Sequence, residues 1–453
     1  MIQLGKEVEQ VLQLPSDERL RALKRIIPKK TVQAILRKAR SRQRHCKRLP
    51  GWFVCWFVIS MGLYFRDDYC QVYRWLNSKG HAPGRSTLCM ARQSLGVAPM
   101  RLLHLEVVRL LAHLDTPGAF YRDMRLMAID GFVLNLPDRP HLERVFGRPK
   151  SGRAAGAFPQ ARVLGLCEVG THVIWRHLIK PIRCGETTMA DTLLRHLQKD
   201  MLLMWDRGFL SYANLAQVIE RQGHLLARIK KNLIFKPLKT FADGSYLSKM
   251  YRTSYDRDHD RNGIPVRIMK YTFHDPGRPG SGKEHRLLTT LLQPSKDPAK
   301  TLIELYHQRW EIELAIDELK THQQDQRQVL RSETPAGVIQ EIEGLLLAHY
   351  VVRAVMAEAA QTEQMDPRGL SFTATLKILR CRLPNCPRSP QPLQEWYERL
   401  LAEVAEQKLP PRRDRVNPRV VKRKMSKWAK KRAIHYNYSQ PTKNFRQSIN
   451  MLN

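Results

Sequence analysis

Acidic residues are scarce in this chain. Against 77 Lys and Arg it carries 42 Asp and Glu, for a formal net charge of +35 and a sequence pI near 10.2. A surplus of that size repels itself in a compact protein unless an anionic partner offsets it, which argues against a small-molecule enzyme with no polyanion partner. Nucleic acid is the first partner to consider; an anionic membrane surface and ribosome-like structural binding are the rivals. The start, MIQLGKEVEQVLQL, lacks the basic-then-apolar layout of a secretory signal. The longest uncharged apolar run, Gly51 to Phe65, is shorter than the roughly 20 residues a membrane span needs, so it reads as a buried core helix. The eight cysteines form no repeated CxxC, and Cys55 lies inside the apolar run. Reduced core thiols are expected, with a zinc pair at Cys381 and Cys386 the weaker reading. These absences predict a cytoplasmic protein with no membrane segment. No internal repeat stands out.

Hydrophobic residues make up 43% of the 453, enough for packed cores and for two or three domains. Residues 1–118 read as an α-helical domain. Ser16-Asp17-Glu18 offers a cap and two acids ahead of a helix that Pro28 ends, Ser86 reads as the cap of the next, and MRLLHLEVVRLLAHL as a third after Pro99. From Arg19 to Arg48 the chain holds 13 Lys and Arg and no acid, either a solvated helix face or a phosphate-contacting surface. The texture changes at Phe120. Strands are predicted at 125–129, in ARVLGLCEV and HVIWRHLI as an antiparallel hairpin, at 201–205 and in HLLARI, with helices after Gly185-Glu186 and in SYANLAQVIERQ. This is an α/β domain over residues 119–345, interrupted at about 230–300 by a Tyr-rich, Gly- and Pro-punctuated β-rich insertion. One helix is predicted from Thr301 to about Gln323. Residues 346–453 read as a helical, basic C-terminal region, with 11 Lys and Arg against Asp414 alone between 412 and 432.

Asp130 in MAIDG and Asp206 in MWDRGF follow apolar strands. An ionised carboxylate at the end of a buried strand is costly unless it is paired or metal-bound, although Asp before Gly also forms ordinary turns. On a helix from Thr301, Tyr306, Arg309, Glu313 and Lys320 fall on one narrow stripe at about 100° per residue, while Glu311 and Glu318 point elsewhere. That stripe fits a charged surface, with Arg309 and Glu313 paired and Asp317 nearby, as well as it fits a site. Three carboxylates from two strands and a helix are what a two-metal phosphodiester site requires, with Lys and Arg beside them to hold phosphates.

The sequence Y306-HQ-R309-WEI-E313-LAIDEL-K320 matches in full the Tyr-Arg-Glu-Lys signature of the bacterial insertion-sequence DDE transposases of the family numbered four. AIDG at Asp130 and DRGF at Asp206 resemble that family's two upstream acidic motifs, and flanking text such as AFPQARVLGLCEVGTH, RIKKN, LRSETP and RLPGWF extends the resemblance over most of the chain. The resemblance implies an RNase H-like catalytic domain with a β-rich insertion. It implies Asp130, Asp206 and Glu313 as catalytic residues and ligands of Mg²⁺, with Mn²⁺ as a substitute, and Tyr306, Arg309 and Lys320 as DNA contacts, with Arg207 and Trp310 as adjacent candidates. It also implies double-stranded DNA partners (terminal inverted repeats and target), a homodimer in a paired-end complex, nucleoid association and a hairpin intermediate. An inactive relative that only binds terminal repeats is the alternative, as is a nuclease that cuts without joining. One departure concerns the hairpin: relatives stack a Trp of the insertion on a flipped base, and no Trp lies between Trp205 and Trp310. Tyr251, Tyr255, Tyr271 or His285 would have to serve.

On this reading the two basic blocks flank the acidic set and handle DNA. Affinity for DNA, measured by fluorescence anisotropy against salt, is expected to fall steeply with ionic strength, and less steeply once the 19–48 or the 412–432 block is neutralised. Each phosphate that the altered block no longer neutralises should take about 0.9 from the log–log slope.

Overall fold

The computed structural model describes residues 21–41, 49–77, 81–151, 154–230, 232–272, 282–324, 329–387 and 389–410. Residues 21–272 and 284–410 of these fall in one compact unit. The Ser16 cap and the 412–432 block lie outside the described residues, as does the end of the first basic block.

The chain opens with short helices: α1 (Arg21–Ile26), α2 (Lys29–Lys38), α3 (Gly51–Leu63), α4 (Tyr69–Leu76), α5 (Arg85–Leu95) and α6 (Ala98–Val107). Pro28 separates α1 from α2, as its missing N–H and the restriction on its predecessor dictate. α3 is the apolar run, and twelve of its thirteen residues are buried. Two predicted details differ. Ser86 is no cap: α5 starts at Arg85 with Gly84 ahead of it, so Ser86 lies in the first turn. The third helix stops at Val107 rather than continuing through Leu114, because the Leu111 and Ala112 N–H groups donate to the buried Glu168 carboxylate at 2.9 and 3.1 Å. Glu168 also takes Arg125 and the Thr171 hydroxyl. A strong external acceptor has replaced the intrahelical carbonyls.

The sheet contains β1 (Met124–Asn135), β2 (Gln160–Glu168), β3 (Val173–Pro181), β4 (Met201–Trp205) and β5 (His224–Arg228), followed by β6 (Tyr246–Met250), β7 (Ile264–Tyr271) and β8 (His285–Thr289). Its order is β3-β2-β1-β4-β5-β8-β7-β6, with two-residue strands at 120–121 and 239–240 on its margins. β1, β2 and β3 run antiparallel, and β4 and β5 join parallel to β1. This is the α/β arrangement that the chain order predicts and that the resemblance implies as RNase H-like, with α8 (Glu186–Leu194) and α9 (Tyr212–Glu220) in the crossovers. The loop expected after the first strand contains an additional helix, α7 (Pro140–Phe146), and the insertion contains α10 (Ser254–Asp258). The insertion is indeed β-rich, but it is not a separate sheet: β8 pairs antiparallel with β5, so the insertion lengthens the central sheet.

Beyond the insertion, the single helix predicted over 301–323 is three pieces: α11 (Ala299–His307), α12 (Trp310–Asp317) and a π-helical stretch over Glu318–Gln323. At the first break, Gln308, Arg309, Glu311 and Ile312 bond back three residues instead of four, which tightens and redirects the chain. Three helices close the fold: α13 (Pro335–Thr362), α14 (Phe372–Arg382) and α15 (Pro390–Ala405). α13 contains the whole of IQEIEGLLLAHYVVRAVMAEAA, which reads as helix in the sequence.

Alternation along β1 assigns the two faces of the sheet. Met124, Leu126 and Ala128 face α11 and α12 together with Leu202 and Met204 of β4. Met127 and Ile129 join Leu203 and Trp205 in the opposite core, which also contains α3 and α13. α3 and α13 cross at two glycines. A Cβ on Gly344 would lie 2.4 Å from the Val58 carbonyl oxygen, and one on Gly62 would lie 2.8 Å from Ala348 Cβ. Gly344→Ala is therefore expected to cost about 1–3 kcal/mol by overpacking. Gly369→Ala, where a Cβ meets nothing within 4 Å, should change stability by less than about 0.5 kcal/mol. Urea unfolding of the two variants measures the difference.

Candidate active site

Asp130 is neither at a strand end nor in a turn. It lies inside β1, which continues to Asn135 against β2, with Asp130 opposite Gly165. What ends just before it is the parallel pairing with β4, whose last partners are Ala128 and Met204. Continued by two residues, that register would set Asp130 level with Asp206. Both share the parity of Ala128 and Met204, so both belong to the face covered by α11 and α12.

That face presents Arg309. Its Nη2 is 2.9 Å from Glu313 Oε1 and its Nη1 is 3.9 Å from Asp130 Oδ2, while Asp206 acts on it electrostatically. The guanidinium is buried and its Nε makes no hydrogen bond. Burial pushes the Asp130 carboxyl up to about 6; the Gly131 N–H and Arg309 oppose this, and Glu313 and Glu186 add to it. Glu186 is a fourth acid at the site, which the sequence offers only as text next to Gly185. A Cβ on Gly131 would lie 2.7 Å from Glu186 Oε1, so only glycine leaves this carboxylate its place. Carboxylate oxygens gathered around one buried cation, with an Asp whose ionisation is disfavoured, form a donor set suited to a hard divalent ion.

The other signature residues have distinct surroundings. Tyr306 is buried and its hydroxyl donates to the Trp205 carbonyl at 3.0 Å, which ties α11 to the residue before Asp206. Arg207 and Lys320 are exposed, and Trp310 is 39% exposed with the Arg309 guanidinium over its ring at 5.2 Å. Lys320 lies on the π-helical stretch, where the wider turn departs from the 100° spacing assumed for the stripe. Asp317 is exposed and meets Thr321 and His322. Glu311 and Glu318 do point away from Glu313, into the protein.

They do so because of His172, which the sequence shows only as the last residue of the flanking stretch AFPQARVLGLCEVGTH and gives no role. It occupies the β2–β3 turn with φ +59, and its ring nitrogens face Glu311 Oε2 at 2.9 Å and Glu318 Oε1 at 3.0 Å. Arg353 of α13 bonds the same Glu318 carboxylate, and His349 lies 3.0 Å from its Oε2. Burial alone would raise the Glu318 carboxyl, but Arg353, His172 and His349 hold it well below its usual value. A depressed folded pKa means that this stabilisation is complete above about pH 4.5 and is lost as pH falls toward the folded value. Glu318→Gln leaves Arg353 buried without its counter-charge and should cost about 3–5 kcal/mol in urea unfolding at pH 7. The exposed Asp317→Asn should cost less than about 1 kcal/mol.

Residues 121–351, just over half of the chain, match the family described as Transposase DDE domain, a domain that works with divalent metal ions, and residues 17–104 match the Insertion element 4 transposase N-terminal family. Transposase InsG for insertion sequence element IS4, from Escherichia coli strain K12, is 27% identical over 393 residues, which is 84% of this chain and 87% of the relative. A solved structure of the piggyBac transposase synaptic complex with hairpin DNA aligns over 89% of this chain and 87% of that one at TM-score 0.41 and 12% identity, a likeness too low to carry weight. With the DDE domain match spanning more than half of its length and the N-terminal family match ahead of it, this DNA-binding chain belongs to the insertion sequence 4 family of DDE transposases, enzymes that cleave DNA and transfer strands.

Proposed function

We propose that this transposase moves its insertion sequence by cut-and-paste: it hydrolyses phosphodiesters at the element's ends, passes through a hairpin intermediate and joins the freed 3′-OH ends to target DNA. Asp130, Asp206 and Glu313 are the metal ligands. The observation that supports this reading is that Arg309 pairs with Glu313 at 2.9 Å and lies 3.9 Å from Asp130, with Asp206 acting on it electrostatically. Mg²⁺, with Mn²⁺ as a substitute, would activate the attacking oxygen and stabilise the leaving one. The remaining work belongs to the chain. Arg309 offsets the mutual repulsion of the acids and presents a guanidinium suited to a phosphate. Tyr306 fixes α11 against the end of β4, so that Arg309 and Glu313 stay level with Asp206. Lys320, Arg207 and Trp310, all exposed, meet the DNA backbone.

For the hairpin step Tyr255 is the most exposed of the tyrosine candidates, at 56%, with its ring 4.1 Å from that of His259; the Tyr251 hydroxyl is held by Asp260 at 2.7 Å and Tyr271 stacks on His285 with ring centroids 5.2 Å apart. The working form is a homodimer holding two ends, with terminal repeats and target as the double-stranded partners.

The test uses purified protein and DNA carrying the inverted repeats that bracket the gene. Cleavage and joining should require Mg²⁺, and should fall at least about 10²–10³-fold in Asp130→Ala, Asp206→Ala and Glu313→Ala while DNA binding survives. An active Glu313→Ala protein alongside an inactive Asp317→Ala protein would overturn the assignment. Binding without any Mg²⁺-dependent cleavage would replace it with a repeat-binding regulator.

A further inference from the structure

Away from the three acids, a second set of ligating groups lies where α6, β3 and α13 meet. His104 of α6, His177 of β3 and Glu343 of α13 each place one ligand atom within 4.8 Å of the others, and among the described residues no other three His, Cys, Asp or Glu do so. His104 and Glu343 are each 1% exposed and the His177 side chain is 7% exposed. His104 Nε2 is 3.3 Å from His177 Nδ1, and His177 Nε2 is 3.2 Å from Glu343 Oε1. His104 Nδ1 and Glu343 Oε2 are buried without a hydrogen-bond partner.

The three side chains come from three different elements, and their nitrogen and oxygen atoms already lie at ligand spacing. A separation of 3.3 Å is the spacing of two imidazole nitrogens on a tetrahedral ion at about 2.0–2.1 Å from each. A Glu343 carboxylate oxygen lies within 4.8 Å of both histidine ligand atoms and supplies the third donor. Two cations stand near: Arg101 is 3.8 Å from Glu343 Oε1, and Arg176, seated over Trp175, donates to the Val108 carbonyl. Arg101 is half exposed and free to turn to solvent when Glu343 takes another partner.

We propose that His104, His177 and Glu343 form a structural site for a zinc-class divalent ion, distinct from the ions of the acidic site. Imidazole nitrogens with one carboxylate select zinc-class ions, whereas Mg²⁺ prefers oxygen alone. The ion clips the last N-terminal helix to the outer edge strand of the catalytic sheet and to α13, three segments brought together from distant parts of the chain.

The test uses full-length protein without a histidine tag, stripped with a chelator and reloaded with Zn²⁺, or with Co²⁺ as a spectroscopic probe. One equivalent of zinc should be retained after gel filtration, the melting midpoint should rise on loading and fall on stripping, and Co²⁺ should show visible bands of tetrahedral intensity. His104→Gln and Glu343→Gln should abolish retention and the Co²⁺ bands, whereas Asp130→Ala and Glu313→Ala should keep both. Absence of retained zinc, retention unchanged in the His104 and Glu343 variants, or loss of zinc with the acidic-site variants would each overturn the proposal. If the buried variants fail to fold, the wild-type protein still decides it: a midpoint unmoved by zinc or chelator means that the cluster binds no ion.

Discussion

Glu318 is buried, charged and five residues beyond Glu313, and the placement of the signature helix depends on how that charge is compensated. Arg353 from α13 and His172 from the β2–β3 turn reach the carboxylate from two directions, and His349 completes the set. A carboxylate with three partners from two other elements cannot slide or rotate without leaving a charge uncompensated in the core. It is also where α12 gives way to the π-helical stretch, whose widened turn lets Gln323 reach the Leu345 carbonyl at 2.9 Å. The irregular backbone and the buried ion pair therefore serve one end: they fix the helix that carries Glu313 to both the sheet and α13.

From that anchor the rest of the site follows through the geometry of strands. Parallel register between β1 and β4 ends at Ala128 and Met204, and a side-chain period of two gives Asp130 and Asp206, each two residues further on, the same parity. Arg309 then stands between Asp130 and Glu313 as a resident counter-charge. The same buried position that makes Asp130 reluctant to ionise makes it responsive to a cation, since a charge in a low-dielectric setting acts more strongly than one in water. Two buried polar clusters thus brace the catalytic sheet: the Glu318 set near the signature helix, and His104, His177 and Glu343 at the outer edge. Both draw on α13, which supplies Glu343, His349 and Arg353.

The chain order of the five strands and the β2–β3 hairpin are legible because apolar runs of strand length, separated by turn residues, leave few alternatives, whereas the irregularity in the hairpin register at Leu166 and Cys167 is not. The β-rich insertion is legible as β, but its continuity with the main sheet is not, because edge pairing between β5 and β8 leaves no local mark in either strand. The breaks in the helix over 301–323 are hidden for a related reason. Local propensity there is helical throughout, and only tertiary partners of Tyr306, Glu311 and Glu318 force the tight turn and the π-helical stretch. α6 ends early because Glu168, more than fifty residues away, competes for its backbone donors.

The sequence by itself determined the element types, the basic character and the family, since periodicity, charge and a fixed four-residue signature are local properties of the chain. It also determined that Glu313, not Glu311 or Glu318, shares a face with Arg309, because a separation of four residues stays on one face of any short helix. The tertiary structure alone decided which carboxylates meet and what holds them in place. Asp130 and Asp206 come to adjacent strands only through the pairing of β1 with β4, Glu186 lies beside Gly131 only through the fold, and His172 takes its place only because a turn projects it between two buried acids. Each of these is a contact across tens to hundreds of residues, set by packing and by the cost of leaving a buried charge alone.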